Sequence, residues 1–336
     1  MVEDIFAMAL EPEWLTYRWR YCDVPRQCQP RDRRSLKTLR KRIDAAKIPA
    51  SKLDETLNIA TWNVREFGKK RRSEAAIHYI AEIVGQFDLV GLVELRDNLG
   101  DLQRILPILG PYWDAIYSDT IPDAGGIASG SAICTTAAPA PSTAWPRRRP
   151  PRKKRGLEYI PEGSWWRAPY VAAFKAGNYD FAFTVHVRWG DDDAARTAEI
   201  QGLANWLEAK IQYKYAEDRD IIVMGDFNIP DRGDAMFKAL TSKGLQIPSA
   251  LLKDDFGSNL ARDKRYDQIL HFSAFPDAFT NAGGVLDFYA GDHAALFPGL
   301  SKLAFTYQLS DHLPLWIQIN TDIDGFVLDQ IIQRKR

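Results

Sequence analysis

The stretch Asp220-Ile-Ile-Val-Met-Gly-Asp-Phe-Asn-Ile-Pro230 runs four apolar residues into a glycine, then sets Asp226 and Asn228 two positions apart. A short apolar run bounded by turn signals reads as a strand buried on both faces. A carboxylate and a carboxamide at the end of such a strand are costly out of water unless they share partners. In an extended chain, residues i and i+2 lie on one face. Asp226 and Asn228 are therefore expected to point the same way for as long as the strand persists.

Outward from this stretch the pattern recurs. Asn63 follows Ile-Ala-Thr-Trp, Glu94 follows Leu-Val-Gly-Leu-Val, and His186 sits in Phe-Thr-Val-His-Val. Asp267 opens Gln-Ile-Leu, and Asp311 and His312 precede Leu-Pro-Leu-Trp-Ile. One shared site would explain polar groups at so many strand ends. Helical spacing intervenes at 73–85, closed by Gly85, and at 194–211, while a Gly-Asn turn at 177–178 joins two strand-like runs. Strands alternating with helices predict sheets with helices outside.

The chain has 336 residues and a formal net charge of zero, from 44 basic and 44 acidic side chains. That average hides residues 147–155, with seven basic side chains and no acidic one, inside a proline-rich stretch at 137–156 that reads as an exposed loop. No apolar run approaches the roughly 20 residues that span a bilayer, so no membrane role is expected. The N-terminal residues carry acids where a secretory signal carries Lys or Arg. Three cysteines (Cys22, Cys28, Cys134) give neither a disulfide framework nor zinc spacing, so a reduced, cytoplasmic setting is expected. Leu36, Leu39 and Ile43 recur at helical spacing opposite Arg34, Lys37, Arg40 and Lys41.

Oxygen ligands without cysteine suit a hard cation, Mg2+ or Mn2+. Two histidines can serve as acid and base near neutral pH. Asparagine donates hydrogen bonds without adding negative charge, which suits an anionic transition state. With an arginine, this mixture describes hydrolysis of a phosphate ester.

Seven motifs then appear in order: Trp-Asn-Val at 62–64, Val-Glu-Leu-Arg-Asp at 93–97, Arg-Ala-Pro-Tyr-Val-Ala-Ala-Phe at 167–174, Val-His at 185–186, Met-Gly-Asp-Phe-Asn at 224–228, Tyr-Asp-Gln-Ile at 266–269 and Leu-Ser-Asp-His-Leu-Pro-Leu at 309–315. Together they resemble the endonuclease/exonuclease/phosphatase superfamily, in particular its deoxyribonuclease I-like branch. The resemblance implies a four-layer α/β sandwich, two packed, mainly antiparallel sheets flanked by helices. It implies a Mg2+-dependent phosphodiesterase acting on nucleic acid, DNA ahead of RNA, as an endonuclease of low sequence specificity. The alternative is a phosphoesterase for inositol phosphates or sphingomyelin-type esters; a catalytically dead nucleic-acid-binding module is a third reading.

Carried over residue by residue, Glu94 becomes the main metal ligand, with Asn63 and Asp311. Asp226 holds the nucleophilic water or a second metal, and Asn228 binds the scissile phosphate. His312, oriented by Asp267, and His186 exchange protons, Arg167 clamps a phosphate oxygen, and Arg96 enters the minor groove or pairs with Asp97. One departure stands out: the stretch before Ala132-Ile-Cys lacks the carboxylate that pairs with the first histidine in deoxyribonuclease I, so His186 is expected to be less well oriented or to be partnered from elsewhere. The implied division is a helical, basic extension at 1–56, the catalytic domain at 57–322 and a tail at 323–336. A second Asp-His pair, Asp292–His293, has no strand behind it and is read as structural, as are His78 and His271.

Overall fold

The computed structural model describes residues 30–52, 54–118, 121–122, 128–136, 170–177, 179–185, 192–212, 220–252 and 257–334. In chain order its elements are α1 (Pro30–Ala45), β1 (Thr56–Phe67), α2 (Glu74–Val84), β2 (Leu89–Leu95), α3 (Gly100–Leu109), β3 (Asp114–Tyr117), β4 (Ile121–Pro122) and β5 (Ala128–Thr135). Then follow β6 (Tyr170–Ala176), β7 (Tyr179–Val185), α4 (Asp193–Ile211), β8 (Ile221–Asp226), α5 (Ala235–Thr241), β9 (Asp267–Phe272), β10 (Phe279–Val285), α6 (Lys302–Thr306), β11 (Leu315–Asn320) and α7 (Asp324–Arg334).

The strands form two sheets. A seven-stranded sheet has the order β10-β11-β1-β2-β5-β3, with β4 also paired to β5, and a four-stranded sheet has the order β6-β7-β8-β9. Only β1–β2 and β7–β8 pair in parallel; the other pairings are antiparallel. β8 shows how the layers stack. Ile222 and Met224 join the core between the sheets, whereas Ile221 and Val223 join a second core with Ile200, Leu203 and Leu207 of α4 and Met236 and Leu240 of α5. The strict alternation of a strand buried on both faces thus yields helix, small sheet, large sheet and helix in succession.

Local signals set the helix ends. Ser73 caps α2 by accepting from the Ala76 amide, and Asp192 and Asp234 do the same for α4 and α5. The apolar spacing read in α1 is a core face: Leu36, Leu39 and Ile43 are buried in the main core. Its expected basic face is broken at Arg40, whose Nε donates to Oε2 of the fully buried Glu82 at 3.1 Å. A buried carboxylate draws a guanidinium inward because it must be paired. Residues 324–334, read as a tail, form the helix α7. Among the described residues no helix is long and apolar enough to cross a membrane.

Candidate active site

The pairing scheme brings the polar strand ends to one rim. β1 and β2 run in parallel while β11 runs against β1, so the end of β1 meets the start of β11. In the small sheet β9 runs against β8 and sets Asp267 directly opposite Asp226. Two carboxylates in that register repel unless a cation intervenes. His312, just before β11, supplies it. Its Nδ1 lies 2.7 Å from Asp267 Oδ2 and its Nε2 lies 3.9 Å from Asp226 Oδ2.

Asn63 connects this pair to Glu94. Its Nδ2 donates to Asp226 Oδ2 at 2.9 Å and to Glu94 Oε1 at 3.0 Å. The other Glu94 oxygen, Oε2, accepts from the Glu66 amide at 3.0 Å. The register shifts near the ends of β1 and β2, where Glu66 (φ 46°) and Glu94 (φ 65°) take the left-handed conformation. Such a residue costs roughly 1–2 kcal/mol, and a bulge is a way to re-aim a side chain. Here the shift coincides with the Glu94 carboxylate meeting Asn63.

The electrostatics follow from burial and proximity. Burial pushes the Asp226 carboxyl up and Asp267 adds to this; His312 and the hydrogen bonds from Asn63 and Asn228 pull it down, leaving it at about 6. Burial disfavours the His312 imidazolium, but Asp267, Asp226 and Asp311 outweigh it and raise the group to about 10. His312 is therefore held as a cation between two carboxylates.

Two buried serines frame the set, and no role was read for them in the sequence. Ser310 Oγ donates to Asn63 O at 2.6 Å and accepts from the His312 amide at 3.0 Å, tying β1 to the histidine. Ser258 Oγ accepts from the Asp267 amide at 3.0 Å. Hydroxyls that satisfy backbone groups near their own position are the available signal, and Ser310 carries it two residues before His312.

The strand does not continue through Asn228. Asp226 and Asn228 do not share a strand face: β8 ends at Asp226, Gly225 takes φ 145° and Asn228 takes φ 52°. The left-handed turn replaces the expected alternation, and the Asn228 amide instead donates to Asp226 Oδ1 at 2.8 Å. Arg96 is bonded to Glu66 Oε1 at 3.2 Å, across the strand-end bulge. Asp311 lies beside His312 in the chain but turns to Arg65, with Oδ2 3.0 Å from Nη1. His186, Arg167, the 137–156 loop, Cys22 and Cys28 lie outside the described residues. The residues read as structural are held locally: His293 Nε2 is 3.0 Å from Leu300 O, His78 lies 3.8 Å from Glu82, and His271 stacks on Phe279.

The donor set fits a hard divalent cation. Asn63 Oδ1 and Asp267 Oδ1 are buried and have no hydrogen-bond partner, and a buried acceptor is rarely left so. Asp226, Asp267 and His312 each offer an atom within 4.8 Å of the others. Around them stand carboxylates and one amide oxygen, with no thiolate, as Mg2+ or Mn2+ prefers.

The chain is similar to known proteins. A family model described as the endonuclease/exonuclease/phosphatase family matches residues 60–312. A protein named "Deoxyribonuclease" from Thioalkalivibrio sp. (strain K90mix) is 29% identical over 203 residues, which are 56% of this chain and 50% of that one. The chain thus spans about half the length of that curated relative. Among solved structures, the endonuclease/exonuclease/phosphatase from Bacteroides vulgatus has a TM-score of 0.52 at 16% identity, over 79% of this chain and 98% of that one. A functionally unknown conserved protein from Enterococcus faecalis V583 has a TM-score of 0.50 at 17% identity, over 78% and 98%.

Proposed function

Because the chain belongs to the endonuclease/exonuclease/phosphatase family, whose members hydrolyse phosphoric ester bonds, we propose that it is a Mg2+-dependent phosphodiesterase cutting the nucleic-acid backbone. The substrate we favour is DNA ahead of RNA, cut internally with low sequence specificity. One observation carries the chemistry: an unbroken set of side chains runs from Glu94 through Asn63 and Asp226 to His312 and Asp267. The relative named "Deoxyribonuclease" supports DNA as substrate.

In this reading Glu94, Asn63 and Asp311 hold the cation. When bound, it offsets phosphate charge and polarises the P–O bond. Asp267 locks Nδ1 of His312, so Nε2 carries the proton that the imidazolium can give to the leaving oxygen. Asp226, whose carboxyl sits at about 6, can accept a proton from the attacking water near neutral pH. Asn228 binds the scissile phosphate. His186 and Arg167 are assigned the second proton transfer and a phosphate oxygen on sequence resemblance alone. We keep the division into a basic extension (1–56), a catalytic domain (57–322) and a C-terminal segment (323–336), and a cytoplasmic setting.

Supercoiled plasmid, RNA and inositol phosphates, each with Mg2+ or EDTA, test the reading beside His312→Ala and Asn228→Ala. Mg2+-dependent nicking that both variants lose is the expected result. Phosphate release from the small esters alone would replace it with the small-ester reading, and absence of any turnover would leave a binding module.

A further inference from the structure

Glu66 sits beside the candidate active site with two cations, Lys69 and Arg96, against its carboxylate. Its amide holds Glu94 Oε2, so its backbone is tied to the candidate active site. One carboxylate oxygen, Oε1, meets Lys69 Nζ at 2.6 Å and Arg96 Nη2 at 3.2 Å. Burial pushes the Glu66 carboxyl up, but Lys69, Arg96 and, at longer range, Arg65 outweigh it and hold the carboxyl below the usual range. The cluster opens to solvent at Lys69, whose side chain is 55% exposed, while Arg96 and Glu66 are at 15% and 18%. Left-handed backbone at a glutamate persists where its surroundings over-determine it.

Basic groups converging on one anionic oxygen are also how proteins bind phosphate. Glu66 is part of the chain, so whatever anion comes to these cations must displace it. We propose that Lys69 and Arg96 form a phosphate-binding subsite beside the candidate active site, and that the Glu66 carboxylate occupies it as an internal stand-in anion until a substrate phosphodiester replaces it. The identity of the occupant rests on the nucleic-acid reading above; the subsite itself does not. Exchange of one anion for another lowers affinity and hastens release. A carboxylate that only added negative charge to this surface would, on removal, tighten polyanion binding whether or not Lys69 and Arg96 were present.

The test measures binding of duplex DNA and of inorganic polyphosphate in EDTA over a range of salt, for the wild type and Glu66→Gln. Removing the competing carboxylate should make Glu66→Gln bind both probes roughly 5-fold tighter, the equivalent of one surface ion pair. The slope of log affinity against log salt should steepen by about 0.9, one further phosphate contact. Adding Lys69→Ala and Arg96→Ala should abolish the gain. Glu66→Asn, which tolerates left-handed backbone, serves if Gln does not fold. Unchanged or weaker binding with an unchanged slope overturns the subsite. Tighter polyphosphate binding by a protein that nicks no nucleic acid sinks the nucleic-acid reading and leaves the subsite standing; nicking without the gain does the reverse.

Discussion

His312 Nδ1 lies 2.7 Å from Asp267 Oδ2, and this contact fixes which imidazole nitrogen faces Asp226. Asp267 in turn is fixed by the antiparallel register that sets it opposite Asp226. His312→Ala should lower kcat by about 100- to 10,000-fold, the range for loss of a general acid or base. Asp267→Ala should fall in the same range or below it. Because the two act as one unit, the double variant should be no slower than His312→Ala alone. Losses that multiply would show that they act separately, which steady-state kinetics with plasmid substrate will read.

Asn63 holds two carboxylates with its amide nitrogen and leaves Oδ1 without a donor. Asn63→Ala removes a candidate cation ligand and the brace on Glu94 together. Divalent-cation affinity, measured by calorimetry with no substrate present, should weaken by about 10- to 100-fold. An affinity equal to the wild type would remove Asn63 from the site.

Much of this site was legible because burial and polarity conflict so plainly at strand ends. Asn63, Glu94, Asp226 and Asp267 each interrupt or end an apolar run, and the fold gathers them. What was not legible is the choice of partner. Nothing near Arg96 in the chain indicates Glu66, which comes alongside only because β1 and β2 are parallel neighbours whose register shifts between Asn63 and Phe67. Nor does the sequence near Arg40 point to Glu82 on another helix. The shared face of Asp226 and Asn228 was conditional on the strand continuing, and backbone conformation at Gly225 and Asn228 decides that it stops.

Arg72 braces the same region from below. Its buried guanidinium sits 4.8 Å over the Phe67 ring, donating from Nη2 to Arg65 O at 2.6 Å and from Nε to Gln308 O at 3.1 Å. It therefore ties the end of β1 to the segment approaching His312. Arg72→Leu leaves those carbonyls unsatisfied and should cost about 3 kcal/mol. Arg72→Lys, which keeps a donor but not the fork, should cost less. Urea unfolding of both variants checks the order; equal losses would mean that the fork is not what matters.

His271 should make the fold sensitive to acid. Its ring lies flat on Phe279, with centroids 3.8 Å apart and planes 19° apart. Burial drives its pKa down from 6.5 to about 4. The unfolded chain therefore takes up a proton in that interval which the folded chain refuses. Stability from neutral His271 is complete above about 6.5 and is lost as pH falls towards about 4. Between about pH 7 and pH 5 the loss amounts to roughly 2 kcal/mol. His271→Leu keeps an apolar side chain against Phe279 and cannot take up the proton. Its stability, from urea midpoints at the two pH values, should fall by roughly 2 kcal/mol less than that of the wild type. Equal declines in the two proteins would place the acid sensitivity elsewhere.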